Sequence, residues 1–469
     1  MADPEGGKIE PPAHTPPKGL DAVLWYRYTG FEVRDDLTCD ISSPSKDYLE
    51  PKDRKKGRLY VGVSGEALAT KDLTTLLNAT NIVAFNCGML FGHEPRCQLN
   101  AEQLRVIASA TQLEALDITL AKTVTAADLQ CLQSLTKLRY LRLNTSSRSL
   151  NFDWLTKLSN LELLSIDKPV SAETLTKVIE QAPLQYLKVV AKTEPASDKV
   201  LEALSKCMTL TSLSWEGTVY LAGKDLPTSI RRLSISVGPD PEPAEFATIF
   251  DKVKDVECLT INDSFEDEVD ELVAVKVGSL VKLRFLWIYW WYNLNDKLFT
   301  KVCKAPRLER LRLGNYFIDD DWNLTNAAIQ AMAENPALVH LDLHGCKRIT
   351  DEGIQALADA KRISLKSLSL LGCSPLTKKS LTVLAGCKAL RELTFDAENL
   401  ADSDLEALEP NPVISLWLDS GTNLSPACLI HLARMKNLET LDVTGCPNIK
   451  SSDCAKAFGD RKVMYTIEQ

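Results

Sequence analysis

Few residues in this chain have types and spacings suited to chemistry, and most of them do not converge. His340, His344 and Cys346 stand close together. Histidine nitrogen and cysteine sulfur are zinc ligands. An alternating strand through this segment puts His340 and His344 on its outer face and turns Cys346 inward, so no metal site is expected. Carboxylates run together at Asp319, Asp320 and Asp321, and at Glu266, Asp267 and Glu268. Such runs could supply oxygen to a hard cation, but read as solvated loops. The segment GTVYLAGK (217–224) approaches a phosphate-binding loop. It has one residue too many between its glycines, and Asp225 stands where a magnesium-binding hydroxyl belongs. No G-x-S-x-G, H-E-x-x-H or G-x-G-x-x-G occurs. What remains is aromatic and basic: RFLWIYWWYNLND (284–296), then Arg310, Arg312, His340, Asp342 and His344. Aromatic rings beside arginine are the composition of protein-binding hot spots. The chemistry expected is therefore recognition, with no catalytic residue, metal or cofactor.

Those residues have to be held by something, and the sequence repeats. LVHLDLHGCKRITDEGIQALADA begins at Leu338, LKSLSLLGCSPLTKKSLTVLAGC at Leu365 and LETLDVTGCPNIKSSDCAKAF at Leu438. Each opens L-x-x-L-x-L/V, then two residues, a cysteine, a polar loop and a helical pattern. The same frame extends back through Val413, Leu390, Leu308, Leu283, Val256, Ile230, Leu210, Leu184, Leu161, Leu138 and Leu113 to Ile82. The spacing is mostly about 23 to 27 residues, the range of leucine-rich repeats. It lengthens between Ile82 and Leu113 and between Leu308 and Leu338. It shortens between Leu210 and Ile230, where LAGKDLPTSI leaves no room for a full helix.

The last two apolar residues of the frame alternate, so they share one face of a short strand. The segment after the loop repeats apolar residues at helical spacing. One unit cannot bury its apolar face alone, and stacked units share one long core. The expected fold class is α/β: a leucine-rich-repeat solenoid, a horseshoe with parallel strands on the concave face and helices on the convex face. It is expected over residues 59–469 in about 15 to 17 repeats. Segment 58–79 reads as a first strand and helix, and KVMYTIE (462–468) as a closing strand. Residues 1–19, rich in proline, glycine and charge, read as a disordered tail. Residues 20–58 carry Leu24, Trp25, Tyr26, Tyr28 and Phe31. They read as an N-terminal cap over the first repeat, or else as a partner-binding segment.

Segments 341–358 (LDLHGCKRITDEGIQALA) and 441–458 (LDVTGCPNIKSSDCAKAF) resemble cysteine-containing leucine-rich repeats. That class is familiar from the substrate-binding half of F-box proteins in ubiquitin ligases, and it occurs in other scaffolds. The resemblance implies a structural role for Cys87, Cys346, Cys373 and Cys446, each packing under a turn with its polar atom toward neighbouring backbone. F-box proteins carry a helical box ahead of the repeats, whereas residues 1–58 show no such apolar pattern. The motif specifies fold strongly and function hardly at all.

Composition narrows the partner. The net charge is −9, from 63 acidic and 54 basic residues. Nucleic-acid binding needs a basic face, so a protein or peptide partner is expected, held alone or within a larger complex. No apolar run is long enough to span a membrane. The N-terminus lacks a basic start before an apolar stretch, so it does not read as a secretory signal. The 13 cysteines then read as reduced thiols. A cytoplasmic location is expected, with the nucleus open.

The frame also predicts what the concave face displays. In order it gives Tyr140, Arg142 and Asn144; Tyr186, Lys188 and Val190; Ser212, Ser214 and Glu216; Arg232, Ser234 and Ser236; and finally Ser415, Trp417 and Asp419. Between the last two sets lie Phe285, Trp287 and Tyr289, with Trp290, Trp291 and Tyr292 on the rising loop. Six such rings exceed what one repeat's core needs, and exposed apolar patches mark interaction sites. The predicted partner-binding set is Phe285, Trp287, Tyr289, Arg310, Arg312, His340, Asp342 and His344. A rival expectation is that the insert NYFIDDDWNLTN folds over these rings and buries them. Three functions follow: a non-catalytic scaffold that binds protein or peptide, a ubiquitin-ligase substrate receptor, or a small-ligand receptor or enzyme with a pocket near Trp287.

Overall fold

A strand that finds no partner within its own repeat must pair with the repeat beside it, and the described chain follows this rule throughout. The computed structural model describes residues 23–27, 31–33, 39–40, 57–63, 69–78, 80–87, 97–147, 150–191, 198–217, 225–236, 243–262, 267–289, 291, 293–314, 322–373 and 377–467. It divides into two compact units, Met1–Asp240 and Pro241–Gln469.

In the first unit β1 (Val23–Arg27) runs antiparallel to β4 (Leu59–Val63), while β2 (Glu32–Val33) and β3 (Cys39–Asp40) form a separate antiparallel pair. From β4 onward every pairing in this unit is parallel. The order is β5 (Ile82–Asn86), β6 (Ala115–Leu120), β7 (Tyr140–Thr145), β8 (Leu163–Ile166), β9 (Tyr186–Ala191), β10 (Ser212–Gly217) and β11 (Arg232–Ser236). In the second unit β12 (Cys258–Ile261), β13 (Phe285–Ile288), β14 (Arg310–Leu313), β15 (His340–Leu343) and β16 (Ser367–Leu370) pair in the same way. So do β17 (Glu392–Asp396), β18 (Ser415–Asp419), β19 (Thr440–Asp442) and β20 (Met464–Thr466).

Parallel pairing demands a crossover between strands. Helices supply it in the second unit: α6 (Pro243–Lys252), α7 (Asp267–Gly278), α8 (Asp296–Val302), α9 (Asn326–Glu334), α10 (Asp351–Lys361), α11 (Lys378–Leu384), α12 (Leu429–Arg434) and α13 (Ser451–Phe458). Labels α1 to α5 belong to the helices of the first unit: Thr70–Leu77, Ala101–Ser109, Ala126–Leu129, Ala172–Gln181 and Asp198–Lys206. Tighter 3₁₀ turns serve at residues 153–157 and 402–408, and those at 130–134 and 426–428 adjoin α3 and α12.

The leucine frame becomes three buried columns in the second unit. The anchors Leu283, Leu308, Leu338, Leu365, Leu390, Val413 and Leu438 are at most 2% exposed. Leu286, Leu311, Leu341, Leu368, Leu393, Leu416 and Leu441 stand in register across seven strands. Ile288, Leu313 and Leu343 begin the third column. Truncating one such leucine to alanine costs about 2 to 5 kcal/mol. The repeat cysteines pack as the resemblance implies. Cys346, Cys373 and Cys446 are buried, and the thiols of Cys373 and Cys446 reach the carbonyls of Leu343 and Leu418 in the preceding repeats, at 3.5 Å and 3.7 Å.

A second, polar ladder ties the repeats together where their helices begin. Thr325 caps α9 by accepting from the Ala327 N–H, and it donates its own N–H and hydroxyl to Asp296, the first residue of α8, at 2.9 Å and 2.7 Å. Thr377 caps α11 and donates its hydroxyl to Asp351, the first residue of α10, at 2.7 Å. Ser425 donates its N–H and hydroxyl to Asp402 at 2.8 Å and 2.5 Å. Between the first two, the Thr350 N–H meets Asn326 at 2.9 Å. An acidic residue in the first helical turn also meets the positive end of the helix dipole. Where the helices end, Asn335 is buried and donates to the carbonyls of Cys303 and Ala305, at 2.7 Å and 2.9 Å. Asn411 does the same for Leu384 at 2.8 Å.

Burial alone would raise the Asp351 carboxyl pKa, but hydrogen bonds from the Ser380 and Thr377 hydroxyls outweigh it and hold it below the ordinary carboxylate value. Replacing Asp351 with alanine strands those donors and is expected to cost about 1 to 3 kcal/mol. Urea denaturation measures this. A loss below about 0.5 kcal/mol would show that the ladder contributes nothing to stability.

Candidate functional site

Alternation along β13 sends Leu286 and Ile288 into the core and leaves Phe285 and Trp287 half-buried on the face opposite the helices. The neighbouring strands extend the pattern in register, Phe285 beside Arg310 beside His340, and Trp287 beside Arg312 beside Asp342. Two rows of functional side chains therefore cross three strands.

The rows are organised by cation–ring contacts. Arg312 lies 4.1 Å from the centroid of Trp287, whose other neighbour is Tyr289, stacked at 4.2 Å with 29° between ring planes. Arg312 also forms an ion pair with Asp342, its Nε 3.1 Å from the carboxylate. The Trp287 indole N–H points to the Gly314 carbonyl at 3.4 Å, a long contact. Phe285 is flanked by Arg284 and Arg310, at 5.2 Å and 5.7 Å. Arg284 is held in a bidentate pair with Glu309, at 3.0 Å and 2.8 Å. Burial lowers the His340 imidazole pKa, and the Arg310 charge lowers it further, so its neutral form is favoured. His344 is half-buried just beyond β15, its backbone N–H donating to the Leu313 carbonyl at 3.1 Å.

Not every predicted ring belongs to this surface. Trp291 is wholly buried, its indole N–H donated to the Asp270 carboxylate on α7. The expectation that it stands on the rising loop as a surface ring is corrected: the turn after β13 drops it into the core, where Asp270 satisfies its polar edge. Trp290 and Tyr292 lie outside the described residues, as do residues 315–321 of the insert expected to cover the rings. At the described end of that insert Trp322 is itself core, 3% exposed, with its backbone N–H bonded to the Gly345 carbonyl.

The first unit departs further from the expected display. Tyr60, Ala84, Ala115, Tyr140, Leu163 and Tyr186 stand in one register row. All six are buried. Phe31 packs against this row, meeting Tyr140 edge-on at 5.4 Å with Arg139 over its own ring at 5.7 Å. Val190 and Ser212 are buried as well. Lys188 pairs with Glu216 at 2.6 Å, and Arg142 approaches Asp117 at 3.7 Å. The L-x-x-L-x-L frame specifies the side of the sheet but carries no information about a distant segment laid over it.

The frame also passed over an acidic group around half-buried Trp417. Asp396 and Asp419 are register neighbours. Burial pushes the Asp396 carboxyl up to about 6, against the N–H of Gly372 donated at 2.8 Å, and the charges of Asp419 and Glu398 add to the rise. An acidic residue at the end of two successive strands was the available signal.

Among the described residues, no three His, Cys, Asp or Glu residues gather as a metal site, and no helix is long and apolar enough to cross a membrane. Every cysteine whose side chain is described is a free thiol, and all but Cys131 are buried. Burial pushes Cys446 and Cys454 up to about 11, which suppresses the nucleophilic thiolate.

Leucine columns, parallel strands and returning helices make this a leucine-rich-repeat fold. No family model matches the sequence, and no curated protein does. Among solved structures the chain is similar to TLR13 in its complex with ssRNA13, at 17% identity and a TM-score of 0.48, covering 82% of this chain and 56% of that one. It is similar to yeast Rad7 in complex with Elc1, at 16% identity and a TM-score of 0.45, covering 84% and 92%. It is also similar to an internalin of Listeria monocytogenes, at 15% identity and a TM-score of 0.37, covering 85% and 94%.

Two predictions separate core from surface here. Trp291→Ala removes a wholly buried indole and should cost about 3 to 5 kcal/mol, whereas Trp287→Ala loses one stacked and one cationic contact and should cost about 1 to 2. Equal losses by urea denaturation would refute the assignment. For Asp396, a raised folded pKa means that its contribution to stability is fully present below the unfolded value, near pH 4, and is lost as pH rises through about 6. Asp396→Asn should therefore raise the urea midpoint at about pH 8 and change it little at about pH 4.5. The reverse order would show that ionised Asp396 is stabilising.

Proposed function

We propose that this chain is a non-catalytic binding module that holds a protein or peptide on the helix-free face of its second unit. The contact residues are Phe285, Trp287, Tyr289, Arg310, Arg312, His340, Asp342 and His344. One observation carries the reading. Trp287 sits half-buried on the sheet surface, held by contacts with the ring of Tyr289 and the guanidinium of Arg312. A large ring held rigid at the surface loses little entropy on binding, which is why Trp, Tyr and Arg dominate hot spots. The corresponding face of the first unit is different, with its aromatic row buried and Phe31 packed against it. A net charge of −9 favours a protein over a nucleic acid as partner. The free, buried thiols suit a reducing compartment, in keeping with a cytoplasmic protein.

The test compares affinity purifications of the wild-type chain, Trp287→Ala, Arg312→Ala and a first-unit control, Glu173→Ala. Partners recovered with the wild type and the control should be lost or reduced at least tenfold with the other two, while both variants stay folded by circular dichroism. If folded variants retain every partner, the site is wrong.

A further inference from the structure

The cations of this site are not equally committed. Arg284 is held by Glu309 and Arg312 by Asp342. Arg310 stands between them on β14 and meets no carboxylate among the described residues. It lies against the ring of Phe285, its charge acts on the His340 imidazole, and its Nε is shielded from water without a hydrogen-bond partner. His340, its register neighbour, likewise has Nδ1 shielded and unpartnered. A buried polar atom left unsatisfied is destabilising. Those two atoms offer no surface to a ligand, but the rest of the half-buried Arg310 guanidinium carries a charge that no carboxylate among the described residues balances, and that charge fits an incoming anion.

Resting on the binding reading above, we propose that Arg310 and His340 anchor the carboxylate of an acidic residue in an extended peptide, whose neighbouring apolar side chain lies on Trp287 and Tyr289. The surroundings select a single negative charge. Asp342 and Glu309 lie beside the anchor, and Glu392 stands two strands beyond His340 in the same row. A doubly charged phosphate would be repelled more strongly than a carboxylate. The spacing defines the peptide. Arg310 and Trp287 stand on adjacent strands and two positions apart, a diagonal of about 7 to 8 Å. In an extended chain, side chains on the same side recur about every 6.6 to 7 Å. The acidic residue and the aromatic or branched apolar residue are therefore two positions apart.

The experiment selects a phage-displayed library of random 12-residue peptides on the full chain, then measures synthetic copies of the winners by calorimetry. Selected peptides should carry Asp or Glu two positions from an aromatic or branched apolar residue. Arg310→Gln should weaken them at least tenfold and Arg310→Lys less. Changing the peptide's Asp to Asn should cost the wild-type chain the same factor, and should cost Arg310→Gln little more. The peptide change reports on the anchor even if Arg310→Gln fails to fold. Peptides that depend on Trp287 but bind within twofold after the Asp→Asn change would overturn the carboxylate anchor and leave the binding site standing. Peptides indifferent to Trp287→Ala, or no selected peptide at all, would overturn both.

Discussion

A strand of four or five residues cannot satisfy its own backbone, and a single leucine frame cannot bury its own apolar face. Everything in this protein depends on meeting those two demands laterally. Each strand donates to and accepts from the strands of adjacent repeats, so the leucines fall into register as a consequence of backbone pairing. The polar ladder uses the same geometry. A hydroxyl that caps one helix donates to a carboxylate at the start of the helix before it, as Thr325 does to Asp296 and Ser425 to Asp402. One side chain thus serves its own repeat and its neighbour. The site inherits this rigidity, because Phe285, Arg310 and His340 are adjacent only through strand register.

Much of this was legible in the sequence because it is periodic. Leu338, Leu341 and Leu343 announce a strand by their spacing alone, and Cys373 and Cys446 announce the turn beneath which they pack. The side of the sheet on which Trp287 and Arg312 stand follows from the same alternation. What was not legible is aperiodic. Nothing in the spacing of Trp291 distinguishes it from Trp287, since one lies in the strand and the other in the turn that follows. Only the buried carboxylate of Asp270, from the preceding crossover helix, explains why the second indole turns inward. The partners of Asn335 and Asn411 were equally hidden, because they are carbonyls of the preceding repeat, about 30 residues away in the chain.

The two units use the same strand face differently. In the first, aromatic and aliphatic residues along one register row are buried with Phe31 packed against them, and neighbouring charges pair with one another. In the second, rings are left half-exposed and clasped by arginines. A repeat scaffold permits this because changing the outward residue of a strand leaves the inward leucines untouched. The fold can therefore hold steady while the surface is rewritten.

The free thiols give the second unit a built-in set of reporters. Cys303, Cys346, Cys373, Cys387, Cys428, Cys446 and Cys454 are distributed along it, and each is buried. A thiol so placed meets an alkylating reagent only when its own surroundings open. The order in which these sulfurs are labelled would record which repeats loosen together and which open alone, dividing the stack into its cooperative segments without any introduced probe.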